Sequence, residues 1–137
     1  MEVDRIVNSF LQSNTFVLSN EGEDDVCLVD IGDLNPVFDL LRGRRVAKLL
    51  LTHAHFDHVY GINDLLTSFP KCIVYGSVHT LLALKNDKLN FSHYYETPLY
   101  YKGGAECPLI DGQSISLWSD IRINIMITPG HSPGSTC

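Results

Sequence analysis

A run of seven residues at positions 46–52, VAKLLLT, leads directly into the hexapeptide HAHFDH at positions 53–58. The run is almost entirely apolar, as a β-strand covered on both faces would be. The hexapeptide holds three of the chain's 6 histidines, together with an aspartate. A buried strand that opens into this many polar groups predicts a sheet with a functional site at the end of one strand.

The spacing within the hexapeptide is typical of metal ligands, because imidazole nitrogens and carboxylate oxygens suit zinc and similar ions. Side chains two residues apart in an extended segment point the same way, so His53 and His55 can reach one metal together. Asp57 and His58 come where the chain should turn into a helix, and they can face a second metal. A solvated polar loop is the alternative. Four ligand-type residues at the end of an apolar strand favour the metal site.

The rest of the chain alternates strands and helices, which predicts an α/β fold. We expect strands at residues 10–19, 26–31, 46–52, 72–75, 114–118 and 121–128, and helices at residues 35–41, 57–68 and 77–87. Residues 90–108 are rich in tyrosine and break this rhythm. We expect them to form a covering loop, and contact with substrate is the alternative.

A second histidine motif, TPGHSPGS at positions 128–135, follows the last predicted strand. In that strand isoleucines alternate with other residues, which predicts one fully apolar face. The strand delivers His131 through a Pro-Gly turn. His79 and His93 have no comparable pattern around them, so we expect neither to be a ligand.

Together these motifs resemble those of the metallo-β-lactamase superfamily. HAHFDH fits the family's HxHxDH pattern, and with Thr52 before it and Gly61 after it resembles the THxHxDHxxG form of glyoxalase II-like hydrolases. TPGHSPGS is similar to the family's next motif, TPGHxxGS. Residues 14–18 and 28–32 resemble the strands that open the fold. The resemblance implies a four-layer αβ/βα sandwich, with two mixed sheets face to face and helices outside.

The resemblance also implies a site and a reaction. His53, His55 and His131 would hold a first zinc ion, and Asp57 and His58 would contribute to a second, with iron or manganese as alternative metals. Metal-bound hydroxide would attack a small-molecule thioester or ester. Asp57 would also be the catalytic residue that orients the water or moves a proton.

In the family, further strands supply an aspartate that bridges the metals and a final histidine, and neither has a place in residues 1–137. We therefore expect a single, incomplete domain that corresponds to the N-terminal portion of the fold, truncated after the second motif. Its second metal site should be weak and its activity alone low. The apolar face of the strand at residues 121–128 would then favour a homodimer or a complementing second-half chain.

Two other functions stay open. One is a non-catalytic, truncated remnant that binds a metal. The other is an oxidoreductase resembling the persulfide dioxygenases, which use one iron ion. A β-lactamase is disfavoured, because we expect a cytoplasmic protein.

A net charge of −6 and an isoelectric point near 5.3 give no basic patch for nucleic acid or for an anionic membrane. The N-terminus does not resemble a signal peptide, and no stretch is apolar and long enough to span a bilayer. The 4 cysteines form no CxxC pair. We therefore expect a cytoplasmic protein with neither nucleic acid nor membrane as a partner.

Overall fold

The computed structural model describes residues 1–137 and centres on a six-stranded sheet. In spatial order, its strands are β1 Glu2–Val7, β2 Asn14–Ser19, β3 Asp25–Val29, β4 Arg45–Leu50, β5 Ile73–Ser77 and β6 Ala105–Leu109. The pairs β1–β2 and β2–β3 are antiparallel, and the pairs from β3 to β6 are parallel. Helices α1 Asn35–Leu41, α2 Ile62–Ser68 and α3 Val78–Leu84 connect the successive parallel strands.

A second, two-stranded sheet pairs β7 Ser114–Ser116 with β8 Arg122–Asn124. The alternation of side chains along β3 shows how the layers stack. Val26 and Leu28 belong to the cluster that contains the buried residues of the helices, whereas Cys27 packs with Trp118 beside the second sheet. The helices thus cover one face of the large sheet and the small sheet covers the other. This arrangement confirms the predicted α/β class.

The isoleucine strand is shorter than its pattern predicts. Only Arg122–Asn124 pairs as β8, and Ile127 forms an isolated bridge with Thr136 instead. Ile125 is buried, and Ile121 and Ile123 pack against the cluster around Trp118. The six-stranded sheet thus covers much of the apolar face predicted for this strand, and association through that face stays a prediction.

The predicted helix at residues 57–68 is interrupted. A 3-10 turn spans Phe56–His58, and α2 begins only at Ile62. The carbonyl oxygen of His58, which a continuous helix would use internally, accepts a hydrogen bond from the backbone N–H of Ile31 at 2.9 Å. This tertiary bond ends the turn and fixes residues 53–58, which we call the histidine loop, to the end of β3.

Close contact between two backbone segments makes Gly61 necessary at this point. A Cβ atom on Gly61 would clash with the carbonyl oxygen of Gly32. We expect Gly61→Ala to lower the free energy of unfolding by at least about 2 kcal/mol, because the backbone must move apart. Denaturant unfolding measures this loss. Gly130→Ala is the matched control, since nothing lies within 4 Å of its Cβ position. Equal stability of the two variants would contradict the prediction.

None of the helices has both the length and the apolar character that crossing a membrane requires.

Candidate metal centre

The site lies where neighbouring parallel strands end. Asp30 directly follows β3, and the histidine loop follows β4. Because β3 and β4 are parallel neighbours, their carboxyl ends meet at one edge of the sheet. Asp30 has a left-handed backbone, with φ of 57°. The backbone N–H of Asp30 donates to the carbonyl oxygen of Leu50 at 2.9 Å, and this bond holds Asp30 in the left-handed conformation.

His131 reaches the same edge from a separate loop. The N–H of Thr136 donates to the carbonyl of Thr52 at 2.8 Å. The carbonyl of Gly134 accepts from Ser77 Oγ at 2.8 Å and from Thr80 Oγ1 at 3.0 Å, at the start of α3. A Cβ on Gly134 would approach Ser77 Oγ to 2.6 Å, so only glycine fits this contact. These bonds place His131 opposite the histidine loop.

Three of the predicted ligands form one cluster. The ligand atoms of His53, His55 and His131 lie within 4.8 Å of one another. His53 is buried, and its Nε2 atom has no hydrogen-bond partner. Leaving a buried polar atom unpaired costs about 1–3 kcal/mol. A metal ion would satisfy this nitrogen, so the donor set fits zinc or a similar ion.

Hydrogen bonds fix which nitrogen of His53 is available. The Thr52 hydroxyl donates its single proton to Asp30 Oδ2 at 2.6 Å. Its oxygen therefore accepts from His53 Nδ1, which lies 3.0 Å away. The proton on Nδ1 leaves the lone pair of Nε2 free to bind a metal.

Asp57 and His58 are also brought together. His58 donates from Nδ1 to Asp30 Oδ2 at 2.8 Å, and its Nε2 lies 3.3 Å from Asp57 Oδ2. When His58 is neutral, this nitrogen and this oxygen are both acceptors, and a cation between them would relieve the conflict. The pair thus fits a second ion. Whether any of these residues binds a metal stays a prediction.

The two histidine motifs do not include Asp30, which the sequence pattern did not identify as part of the site. It is buried, and its carboxylate accepts from Thr52 N at 2.8 Å, from the Thr52 hydroxyl and from His58. It thereby orients ligands of both predicted sites. A signal was present, because an aspartate at the end of an apolar strand lies at the same sheet edge as the histidine loop.

Burial keeps the first site in the form that binds metal. Burial and the neighbouring histidines, with His58 first among them, lower the pKa of His53 to about 3. Burial and His131 lower the pKa of His55. Burial opposes the charged form of His58, but the hydrogen bond to Asp30 and nearby carboxylates outweigh it and raise its pKa. His53 and His55 are therefore neutral near pH 7.

The metal-free chain should lose stability as the pH falls, with His53 contributing to the loss. Its pKa falls from 6.5 to about 3 on folding, so between these values the unfolded chain binds more protons. The stabilisation is complete above pH 6.5 and disappears toward pH 3. His58 acts oppositely, because its pKa is raised: its contribution is present at low pH and lost as the pH rises.

Denaturant unfolding of the metal-free chain at about pH 5 and about pH 7.5 measures this difference. In His53→Gln the stability gap between the two pH values should shrink. An unchanged gap would show that this histidine is not held neutral by the fold.

A cavity of about 210 Å³ opens beside His55 and His131. Phe91 lines it, with its ring centroid 4.7 Å from that of His55. The loop at residues 90–108 therefore contacts the site at its beginning. Further along, Tyr95 packs on Phe10 and Phe56, as expected of a covering loop. His79 lines the cavity, but neither it nor His93 belongs to a histidine cluster.

The chain is similar to proteins of known sequence and structure. The hydroxyacylglutathione hydrolase of Salmonella typhi is 29% identical over 133 residues, and that of Citrobacter koseri is 31% identical over 133 residues. Each match covers 96% of this chain and 44% of the relative, so the chain spans about half the length of these enzymes.

Two solved structures superpose over 98% of this chain and 65% of their own length. The BLEG-1 B3 metallo-β-lactamase is 27% identical with a TM-score of 0.86, and TTHA1623 in a di-iron-bound form is 26% identical with a TM-score of 0.76. The fold is thus the N-terminal portion of the one in these structures, as predicted. The profile of the metallo-β-lactamase superfamily matches residues 8–137, and the chain therefore belongs to this superfamily.

Proposed function

We propose that this chain carries the metal-binding half of a zinc-dependent hydrolase that acts on a thioester or a related ester. The observation that carries the proposal is the buried, unpartnered Nε2 of His53 inside a cluster of three histidines. The names of the curated relatives support the substrate class, since they are hydroxyacylglutathione hydrolases.

His53, His55 and His131 would hold the first ion, and Asp57 with His58 would contribute to the second. Bound zinc lowers the pKa of a water molecule to about 7 and polarises a carbonyl oxygen. The chain's own residues prepare the site for this. Asp30 and Thr52 hold His53 in the tautomer that leaves the lone pair of Nε2 free. Asp30 also accepts from His58 Nδ1, which leaves the lone pair of His58 Nε2 free.

Asp57 is the proposed catalytic residue. Its side chain is partly exposed, and Oδ2 lies beside His58 Nε2. The Ser13 hydroxyl donates to the Asp57 backbone carbonyl at 2.6 Å, which fixes the turn that carries the carboxylate. From this position Asp57 can accept a proton from attacking water. The oxygen of that water joins the acyl carbon and the bond to sulfur or to the leaving oxygen breaks. Asp57 then returns the proton to the leaving group.

One observation favours iron as an alternative metal, because TTHA1623 was solved in a di-iron-bound form. An iron-dependent oxidoreductase of this fold would consume oxygen, whereas a hydrolase would not. Elemental analysis and oxygen uptake distinguish these two functions.

The test is hydrolysis of acyl thioesters and esters by the zinc-loaded chain. Any turnover should disappear in His55→Ala, which removes one nitrogen from the three-histidine cluster. His93→Ala is the control, since His93 is exposed and lies outside the cluster of His53, His55 and His131. Turnover that survives His55→Ala would contradict the proposal. Zinc binding with no turnover would favour the non-catalytic remnant.

The expected compartment remains the cytoplasm. All four cysteines are free thiols, and burial raises the pKa of Cys27 and of Cys72 to about 12. Four thiols without a disulfide fit a reducing environment. The proposed partner is a small-molecule thioester or ester. Self-association, or association with a second-half chain, stays a prediction that light scattering can test.

A further inference from the structure

We propose that the cavity beside His55 and His131 is an acyl pocket, selective for acyl groups with an apolar body about the size of a benzene ring. This inference rests on the proposed hydrolase function and specifies its substrate. The cavity touches two of the three histidines in the cluster, so a group that fills it lies next to the proposed reaction centre.

Four of the twelve residues that line the cavity are hydrophobic, and two of these four are small. Ala54, from the histidine loop, is buried, and Ala83 comes from α3. Leu89 and Phe91 complete the apolar lining. Larger side chains at the two alanine positions would fill the space. The alanines therefore set the size of the group that can enter.

The volume fits a particular size of acyl group. The cavity measures about 210 Å³. An apolar cavity of about 150 Å³ is large enough to bind benzene. A benzoyl or hexanoyl group would therefore occupy most of the pocket, whereas an acetyl group would leave most of it empty.

The charge of the lining suits a carboxylic acid product. No aspartate or glutamate lines the cavity, although the chain as a whole has a net charge of −6. Lys88 and His79 both line it. No carboxylate of the lining would therefore repel the acid that the reaction releases.

Phe91 shows that the wall is formed before a ligand binds. Its φ of 64° is left-handed, which is unfavourable for a bulky residue. Buried Asn90 holds the backbone here, since its side chain accepts from Ser92 N at 2.9 Å and donates to Leu84 O at 3.3 Å. Strain that the surroundings enforce is typical of ligand-binding positions. It presents the Phe91 ring to the cavity.

The test measures the binding of free acids to the metal-free chain. Acetate, hexanoate and benzoate are titrated separately, and ¹H–¹⁵N chemical shifts report the binding. Hexanoate and benzoate should bind with a Kd at least about tenfold lower than acetate, because each buried methylene adds affinity. The largest shifts should occur at the amides of Ala83 and Leu89. Equal affinity for acetate and benzoate would overturn the proposal.

Two matched variants locate the binding. Ala83→Phe should raise the Kd of benzoate at least about tenfold by filling the pocket. Leu82→Phe adds the same ring on the same helix, at an exposed position that does not line the cavity, and should leave the Kd unchanged. If Ala83→Phe fails to fold, Leu89→Ser at the exposed rim must weaken benzoate binding instead. Unchanged affinity in the folded pocket variant would overturn the proposal.

Failure of this proposal is distinguishable from failure of the hydrolase function. Benzoate binding without any metal-dependent thioester hydrolysis would contradict only the hydrolase function. Hydrolysis that shows no preference between acetyl and benzoyl thioesters, with no benzoate binding, would contradict only the acyl pocket.

Discussion

Replacing His53 with alanine should abolish tight zinc binding by this chain. The wild-type chain should retain about one zinc ion after mild dialysis, since three imidazole nitrogens can hold one ion with an open position. His53→Ala leaves two of those nitrogens and removes the only one that is fully buried. Loss of a residue that merely supports a ligand costs 10- to 100-fold in affinity. Loss of the ligand itself should therefore cost at least about 100-fold.

Elemental analysis and competition with a chromogenic chelator measure this loss. His93→Ala should retain the metal as the wild type does. Circular dichroism must show that His53→Ala is folded, so that the loss is attributed to the ligand. If His53→Ala still retains one ion per chain, the cluster of His53, His55 and His131 is not the tight site. Two tightly held ions in the wild type would show that Asp57 and His58 bind more strongly than we expect.

Asp30→Asn should have the next largest effect, and it should act on stability and metal binding together. An asparagine side chain offers one acceptor oxygen where the carboxylate accepts three hydrogen bonds, from Thr52 N, the Thr52 hydroxyl and His58. At least one buried donor must then face an N–H group. We expect the free energy of unfolding to fall by about 3 kcal/mol, because one partner of a buried charged network is removed.

Zinc affinity should fall as well, by about 10- to 100-fold, because His53 and His58 lose the groups that fix their tautomers. Asp39→Asn is the matched control, as Asp39 is an exposed carboxylate on α1. Denaturant unfolding of the metal-free chain and a zinc titration separate the two effects. A fully stable Asp30→Asn variant with normal zinc affinity would show that the carboxylate does not orient the histidines.

Elements whose structure depends only on residues adjacent in the sequence could be predicted from the sequence. Helix α1 spans the predicted residues, with Pro36 in its first turn. Ser77, the first residue of the helix predicted at residues 77–87, caps α3, and its side chain accepts from Thr80 N. Both features depend on neighbouring residues alone. The histidine loop was predictable for the same reason, since its spacing and its apolar strand are contiguous.

Features that depend on distant residues were not predicted. Strand β1 has charged, exposed residues and is a strand only because it pairs with β2 at the sheet edge. Strand β6 contains Pro108, which argues against a strand, yet at the other edge it pairs with β5. Asp30 became visible as part of the site only when two strand ends were placed side by side.

The loop that carries His131 determines how a metal could exchange. Its side chain is exposed, and few hydrogen bonds, mainly those to Gly134 and from Thr136, tie it to the rest of the site. His53, by contrast, sits within the core. Breaking those few bonds would swing one ligand away while the sheet stays folded. We therefore expect a bound metal to leave by a local opening of this loop, at a rate that these few contacts set and that does not depend on global unfolding.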